Sequence, residues 1–272
     1  MLQVIKRFGG VSAQDASAGD LNSFLQEVLV EVAAENYRQT MYEAMALSSA
    51  KAVQYDLDPP LRANERVMSG LFATAISRSA LRSQSEVRVD RQEREVNANA
   101  LEHDLEGDGS STVKNGRVDY LAWYGSRVIG VELKMAGINC EAPKITQAIS
   151  RRWTSAVNQA KTVQTCLRAR QQEQPSRYPS PISIALMVLV GRRSVNMEQL
   201  DDLNEDGCVE SMREDTLEVL GGLKPAPTFK AMYTFPREFR ALAVRRKGRV
   251  SPNDDRVMFT PFVAFIAKPS VL

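Results

Sequence analysis

The chain has 272 residues, of which 43% are hydrophobic and 25% charged, so it can bury a large core in one elaborated domain or two smaller ones; its net charge is +2. A single histidine, His103, excludes most multi-histidine metal sites, and three widely spaced cysteines without a Cys-x-x-Cys pair argue against structural zinc or a disulfide framework. The N-terminus lacks the apolar core of a signal peptide, and the apolar run 182–190 is too short to span a membrane. We therefore expect a cytoplasmic protein with no membrane partner.

Residues 1–58 are predicted to form an N-terminal helical extension. Its helix runs from Asp20, placed to cap it, to about Tyr55. One stripe of this helix is apolar and consists of Leu21, Phe24, Leu25, Val28, Leu29 and Val32. The stripe is expected to pack on the rest of the chain, or on a second subunit in a homodimer or a complex with a partner protein.

Residues 59–196 alternate helical and strand patterns. A helix is predicted over 61–80, where Leu61, Met68, Leu71, Phe72, Ala75 and Ile76 have helical spacing, and a strand over 85–89. The stretch 117–134 then reads as a β-hairpin. Pro143 opens a long helix whose stripe is Ile149, Trp153, Ala156, Val157, Ala160, Val163 and Leu167. The apolar run 182–190 predicts a strand that is buried on both faces.

The hairpin is the most informative segment for function. Its loop is Gly125-Ser126, with glycine where a type II′ turn needs it, so Tyr124 pairs with Arg127 and Asp119 lies opposite Glu132. Because side chains alternate along a strand, Lys134 projects on the same face as both carboxylates. The other face is apolar and is predicted to be a core face: Val118, Tyr120, Ala122, Ile129, Val131 and Leu133.

Two carboxylates directly opposite each other on a sheet repel. A divalent cation between Asp119 and Glu132 would remove this conflict, and hard oxygen ligands suit Mg²⁺ or Mn²⁺. Lys134 could then polarise or deprotonate a metal-bound water. The alternative is an exposed polar face on which Lys134 bridges the two acids.

The pattern of Val118-Asp119, twelve residues, then Glu132-Leu133-Lys134 resembles the motif of the PD-(D/E)xK nuclease superfamily, the restriction-endonuclease-like phosphodiesterases, with valine for the usual proline. The resemblance implies an α/β fold with a restriction-endonuclease-like core, in which a mixed sheet is flanked by helices in the order helix, three strands, helix, strand. It also implies that the side chains of Asp119 and Glu132 and the main-chain carbonyl of Leu133 hold the metal, while Lys134 assists the attacking water.

Two helical residues are further catalytic candidates. The resemblance implies a glutamate on the first helix that completes the metal site, and Glu65 is the matching residue; alternatively Glu65 only favours the helix dipole. Some branches of the superfamily carry a glutamine on the second helix, where Gln147, Gln159 and Gln164 lie. Gln159 is the closest match, although Val163 stands where those branches have tyrosine. Otherwise Gln159 is an ordinary surface residue.

Charged residues are segregated along the chain despite the small net charge. Residues 142–197 carry nine basic side chains, Lys144, Arg151, Arg152, Lys161, Arg168, Arg170, Arg177, Arg192 and Arg193, against one acid, Glu173. Residues 198–218 carry nine acids against Arg213, and residues 230–249 carry seven basic residues against Glu238. Basic blocks favour a polyanionic partner, with Lys144, Arg151, Arg152, Lys161, Arg192 and Arg193 as candidate nucleic-acid contacts. Alternatively, the acidic segment pairs with either basic block.

Residues 197–272 are predicted to be an α+β addition packed on the nuclease core. An acidic helical stretch over 197–220 precedes strand-like runs over 231–235, 257–260 and 262–266. These strands either extend the sheet or form a small separate one. Pro261 indicates a sheet edge or a break in the strand.

The sequence therefore predicts a Mg²⁺- or Mn²⁺-dependent deoxyribonuclease, an endonuclease that uses a metal-activated water. Foreign-DNA defence, transposition, and recombination or repair all fit this activity, and RNA stays open as a substrate. One alternative is a nucleic-acid-binding or assembly subunit that keeps the nuclease fold without cleavage. The other is a sugar-phosphate or nucleotide hydrolase with the same metal chemistry.

Overall fold

A computed structural model describes residues 1–7, 16–49, 60–61, 65–89, 116–242 and 256–270. The helices are α1 (Ala16–Ser49), α2 (Glu65–Ser79), α3 (Gln147–Glu173), α4 (Leu200–Leu203), α5 (Asp206–Leu220) and α6 (Arg237–Arg240). The strands are β1 (Leu2–Lys6), β2 (Arg82–Val89), β3 (Gly116–Tyr124), β4 (Arg127–Asn139), β5 (Ile182–Asn196), β6 (Phe229–Thr234), β7 (Ala241–Leu242) and β8 (Arg256–Ser270).

One mixed sheet organises the protein. Its strands lie in the order β1-β6-β8-β5-β4-β3-β2, and β7 pairs with β8 outside this row. Strands β2, β3 and β4 are antiparallel neighbours, and β5 runs parallel to β4 after the crossover through α3. The succession α2-β2-β3-β4-α3-β5 confirms the predicted order of helix, three strands, helix and strand, and the fold is α/β.

Helices cover both faces of the sheet. The predicted apolar stripe of α1 is buried against one face together with that of α2, and Phe24 and Phe72 are fully inaccessible to solvent there. The predicted stripe of α3 is buried on the other face, where α5 also packs. The stripe of α1 therefore packs on the chain's own sheet. This is the first of the two predicted alternatives, packing on the rest of the chain rather than on a second subunit.

Two predicted helix starts were wrong. Asp20 does not cap α1, because that helix begins at Ala16, and the Asp20 carboxylate instead lies 3.4 Å from Nε of Arg127. Helix α3 begins at Gln147 rather than at Pro143, because the Thr146 side chain caps it by accepting a hydrogen bond from the Ile149 amide at 3.2 Å.

The C-terminal segment extends the main sheet, and the inference from Pro261 was wrong. Strand β8 is continuous and lies between β5 and β6, so Pro261 is neither at an edge nor at a break. The register between β5 and β8 shifts between Gly191 and Arg193, which leaves Pro261 at a bulge. A bulge tolerates proline because its missing N–H is not needed in the ladder there. The acidic stretch is a 3₁₀ turn (Met197–Gln199) followed by α4 and α5.

Within the described residues, no helix combines the length and apolarity that crossing a membrane requires.

Glu35 ties α1 to α2. Its carboxylate accepts hydrogen bonds from Gln39 at 2.9 Å and from Arg78 of α2 at 2.7 Å, and it also pairs with Arg38. These contacts, with the Gln39 hydrogen bond contributing most, lower the pKa of Glu35 from its ordinary value of 4.5. A carboxyl group with a depressed pKa stabilises the fold above its unfolded pKa, and that contribution is lost as the pH falls through the folded pKa.

We expect the free energy of unfolding of the wild type to fall more steeply than that of Glu35→Gln below the ordinary pKa of 4.5, since only the wild type must protonate this bonded carboxylate. Urea denaturation between about pH 7 and about pH 3 measures the two slopes. Glu214→Gln, which removes an exposed acid of α5, should follow the wild type. Equal slopes for the wild type and Glu35→Gln would contradict the expectation.

Candidate active site

The hairpin has the predicted register. The pairs run from Tyr124 with Arg127 to Tyr120 with Val131. Gly125 has a φ of +54°, whereas Ser126 does not have a positive φ. A type I′ turn would need a positive φ at both loop residues, so the loop agrees with the predicted type II′ turn.

Strands β3 and β4 separate one step beyond the last ladder pair. There the amide of Leu133 donates a hydrogen bond of 2.7 Å to Oδ2 of Asp119, so a side-chain carboxylate replaces the main-chain acceptor. On the other side of β3, Glu86 of β2 lies between two regular pairs and has a φ of +51°. A positive φ is uncommon outside glycine and concentrates at functional sites. Sequence reasoning missed Glu86, because it looks like any polar residue of an alternating strand.

Glu132 and Lys134 lie on the side of β4 that faces α3. Gly130 shares this side, since a Cβ there would stand 2.9 Å from Cγ1 of Val163 in α3. Side chains alternate along the strand, so Glu132 and Lys134 follow on the same side. Glu132 is only 2% exposed, whereas Lys134 is partly exposed. A buried carboxylate and an accessible ammonium are therefore neighbours along one strand.

The exposed-face alternative for these residues was wrong. Glu132 is buried, and Lys134 forms no ion pair within 4.0 Å in the part of the chain that the structure describes. Lys134 therefore does not bridge the two acids. The opposite face is apolar as predicted, except that Val118 packs in the cluster under α3. Val118 lies beside Asp119, beyond the last pair of the β3–β4 ladder. Pairing with β4 therefore no longer determines which face of the sheet the Val118 side chain points to.

Gln159 borders the same region of β4. It follows Arg152 by seven residues, two helical turns, so both lie along one edge of α3. That edge adjoins β4, because the Arg152 guanidinium donates to the carbonyl of Met135. Oε1 of Gln159 is shielded from solvent and accepts no hydrogen bond from the described residues. An unsatisfied buried amide oxygen costs about 1–3 kcal/mol, which favours a water or ligand contact over an ordinary surface role.

The other two glutamines on α3 behave differently. Gln164 is buried, donates to the Pro181 carbonyl at 2.9 Å and accepts from the Ser183 amide at 2.6 Å, so it fixes α3 against β5. Gln147 is exposed at the start of the helix.

Two of the described carboxylates, those of Asp119 and Glu132, are candidate metal ligands. The main-chain amide of Leu133, the next residue of β4, donates to the Asp119 carboxylate. Glu65 is the first residue of α2, but its side chain lies outside the described residues, so its role stays a prediction. Among the described side chains there is no group of three or more His, Cys, Asp or Glu that could hold a metal. The hard oxygen chemistry of the two carboxylates fits Mg²⁺ or Mn²⁺.

No thiol is placed to take over the chemistry in this region. Cys140 is buried, and burial raises the pKa of its thiol to about 12, which keeps it protonated and unreactive near neutral pH. His103 lies outside the described residues.

The candidate nucleic-acid contacts do not form one surface. Lys144 and Arg151 are exposed near the start of α3, and Lys161, two residues after Gln159, points to a different side of that helix. Arg193 pairs with Glu141 at 2.5 Å. Arg152 and Arg192 line a common cavity.

The acidic segment, residues 198–218, forms an ion pair with the second basic block, residues 230–249. Nη2 of Arg240 lies 2.8 Å from Oδ1 of Asp206. Among the described residues, Arg193 is the member of the first block that forms an ion pair, and its partner Glu141 lies outside the acidic segment. The ion pair of the first block is therefore not made with the acidic segment.

Replacing Asp119 by alanine or by asparagine should separate its two effects. Both variants remove the negative charge of Asp119, but only asparagine keeps an oxygen that accepts from the buried Leu133 amide. We expect Asp119→Ala to be less stable than Asp119→Asn by about 1–3 kcal/mol in urea denaturation, the cost of an unsatisfied buried group. Equal stabilities would show that the hydrogen bond does not hold the two strands.

Comparisons with protein families, with curated proteins and with solved structures found no match to this chain.

Proposed function

We propose that the protein is a metal-dependent DNA endonuclease of the PD-(D/E)xK type, which hydrolyses phosphodiester bonds. The observation that carries the proposal is the placement of Asp119, Glu132 and Lys134 around the point where β3 leaves β4, without an ion pair from Lys134 to either acid. A fold selected only for stability would not favour two acids at this junction beside a lysine that forms no ion pair with a described residue.

Asp119 and Glu132 would hold the cation, with the carbonyl of Leu133 as a further oxygen ligand. The Leu133 amide fixes the Asp119 carboxylate at 2.7 Å, and the packing around Glu132 restricts its rotation because it is 2% exposed. Such fixed carboxylates need little reorganisation to bind a cation. When bound, the cation lowers the pKa of water and neutralises negative charge on the phosphate.

Lys134 would act on the attacking water or on the phosphate. Its ammonium is partly exposed on the same side of β4 as Glu132, so it is both near the carboxylates and accessible to a substrate. In this position it orients the water and stabilises the negative charge that develops during hydrolysis. Gln159, whose Oε1 is shielded and unsatisfied, is placed to accept a hydrogen bond from the same water or from the substrate.

A nucleic acid fits this site better than a small phosphate ester does. Lys144, Arg151, Arg152 and Arg192 are exposed around the end of β4 and the start of α3, and none pairs with a described carboxylate. Phosphate contacts at separate points require a polymer, because each contacted phosphate releases its own counterion.

The alternative function is a binding or assembly subunit with this fold and without cleavage. It is favoured by one observation: the described side chains supply two metal-ligating carboxylates rather than three. Cleavage assays with and without a divalent metal separate the two functions.

Cleavage assays should use circular, linear and single-stranded DNA and RNA, with Mg²⁺, with Mn²⁺ and with EDTA. We expect nicked or linearised circles only with a metal, and a loss of about 10²–10⁴-fold in rate for Asp119→Asn, Glu132→Gln and Lys134→Met. Lys6→Met, which replaces an exposed lysine of β1 at the far end of the strand order from β4, should retain the wild-type rate. Cleavage that survives EDTA or Lys134→Met would overturn the site assignment, and binding without cleavage of any substrate would favour the binding subunit.

Metal binding has a readout that does not need catalysis. Mn²⁺ should raise the unfolding temperature of the wild type, because a ligand that binds the folded state stabilises it. The same concentration should leave Asp119→Asn and Glu132→Gln nearly unchanged, and Lys6→Met should respond like the wild type. Equal shifts in all four proteins would mean that the ion binds elsewhere.

A further inference from the structure

A cavity of about 370 Å³ lies along β4 just beyond Lys134. It is formed by Met135, Ala136 and Gly137 of β4, Arg152 of α3, and Val190 and Arg192 of β5, and the first turn of α3 closes one side. We call it the arginine cavity. Its volume is in the range of small-molecule sites, larger than a bare phosphate requires.

Arg152 and Arg192 both line the arginine cavity. Arg152 donates from Nη1 to the Met135 carbonyl, which leaves its other N–H groups available. Arg192 lies across Gly137, where a Cβ would be 2.6 Å from its Nε. Gly137 thus permits the position of Arg192, because any larger residue would push the guanidinium away.

The arginine cavity has no negative charge of its own to offset these groups. None of its lining residues is acidic, and neither arginine forms an ion pair with a described residue. The first turn of α3 also lacks an acidic residue, although the N-terminus of a helix favours one. Elsewhere the fold does pair its arginines, as in Arg193 with Glu141 and Arg240 with Asp206. The positive charge at the arginine cavity is therefore left for a bound anion.

Position along β4 relates the arginine cavity to the proposed catalytic residues. Gly137 is three residues beyond Lys134, about 10 Å at 3.3 Å per residue of strand. Successive phosphates of a DNA strand are separated by at least the roughly 3.4 Å rise along the duplex axis, so this distance spans no more than about three nucleotides. Arginine forks bind phosphate oxygens in pairs, which fixes orientation as well as position.

We infer that the arginine cavity binds a backbone phosphate of the substrate strand, a few nucleotides from the bond that is cut, through Arg152 and Arg192 together. This inference rests on the proposed function. The bound phosphate sets the register of the strand, so it determines which phosphodiester bond reaches Asp119, Glu132 and Lys134.

Binding of fluorescent oligonucleotides in EDTA, measured by anisotropy over a range of salt concentrations, tests this without cleavage. We expect Arg152→Gln and Arg192→Gln each to weaken binding on the order of tenfold and to reduce the salt dependence by about one counterion. Gly137→Ala keeps both charges but forces the Arg192 guanidinium to shift, so it should weaken binding less than Arg192→Gln does. The double variant Arg152→Gln/Arg192→Gln should lose less than the product of the single losses if both residues hold one phosphate.

Arg168→Gln is the matched control. Arg168 is an exposed arginine on the same helix, about 160° around it from Arg152 by the 3.6-residue repeat, so its removal changes the net charge but not the arginine cavity. It should bind nearly as tightly as the wild type. Unfolding temperatures of all variants confirm that they are folded.

Two results would overturn the inference. One is a loss for Arg168→Gln as large as that for Arg152→Gln, since binding would then follow general surface charge. The other is that inorganic phosphate or a mononucleotide raises the unfolding temperature through Arg152 and Arg192 while oligonucleotides do not bind. A different result would contradict the proposed function and not this inference. In that case oligonucleotides bind through both arginines, but no metal produces cleavage.

Discussion

The hydrogen bond from the Leu133 amide to the Asp119 carboxylate is the contact on which the rest of the candidate site depends. A regular ladder would continue from Tyr120 and Val131 to the next pair, and it would hold β3 against β4 for their full length. Because a side chain takes the place of the main-chain acceptor, β3 leaves β4 at this residue. In the described part of the chain, the remainder of β4 pairs only with β5, and its other edge is left for Glu132, Lys134 and the arginine cavity. The proposed chemistry and the proposed phosphate contact thus share one structural cause.

Helix α3 holds this edge in place. Its apolar stripe packs on the sheet, and Gln164 locks it to β5 through hydrogen bonds with Pro181 and Ser183. With the helix fixed in rotation and in position along the strands, its polar edge delivers Arg152 and Gln159 to β4. Fixed side chains of this kind lose little entropy when a substrate binds, which is the physical advantage of building a site on helices and strands rather than on loops.

The distribution of ion pairs divides the basic residues into two groups. Arg78, Arg193 and Arg240 have carboxylate partners, and they connect elements of the fold. Arg152 and Arg192 instead line a cavity that has no acidic residue in its lining. Sequence position does not distinguish the groups, since Arg192 and Arg193 are adjacent. Neighbouring residues of a strand point to opposite faces, so one of the two meets Glu141 and the other meets Gly137.

The sequence by itself determined the features that depend on local geometry. A two-residue loop and the alternation of side chains sufficed to predict the five pairs from Tyr124 with Arg127 to Tyr120 with Val131, but not that the ladder ends before Asp119 and Glu132. The 3.6-residue spacing predicted the buried stripes of α1, α2 and α3. Tertiary structure decided what depends on distant segments. The bulge that admits Pro261 lies in the ladder between β5 and β8, and the positive φ of Glu86 lies between two ladder pairs of β2 with β3. Arg152 and Arg192 are 40 residues apart in sequence, and they line the same cavity because β5 lies beside β4. Periodicity reports the geometry within one element, whereas a site between elements is set by how they pack.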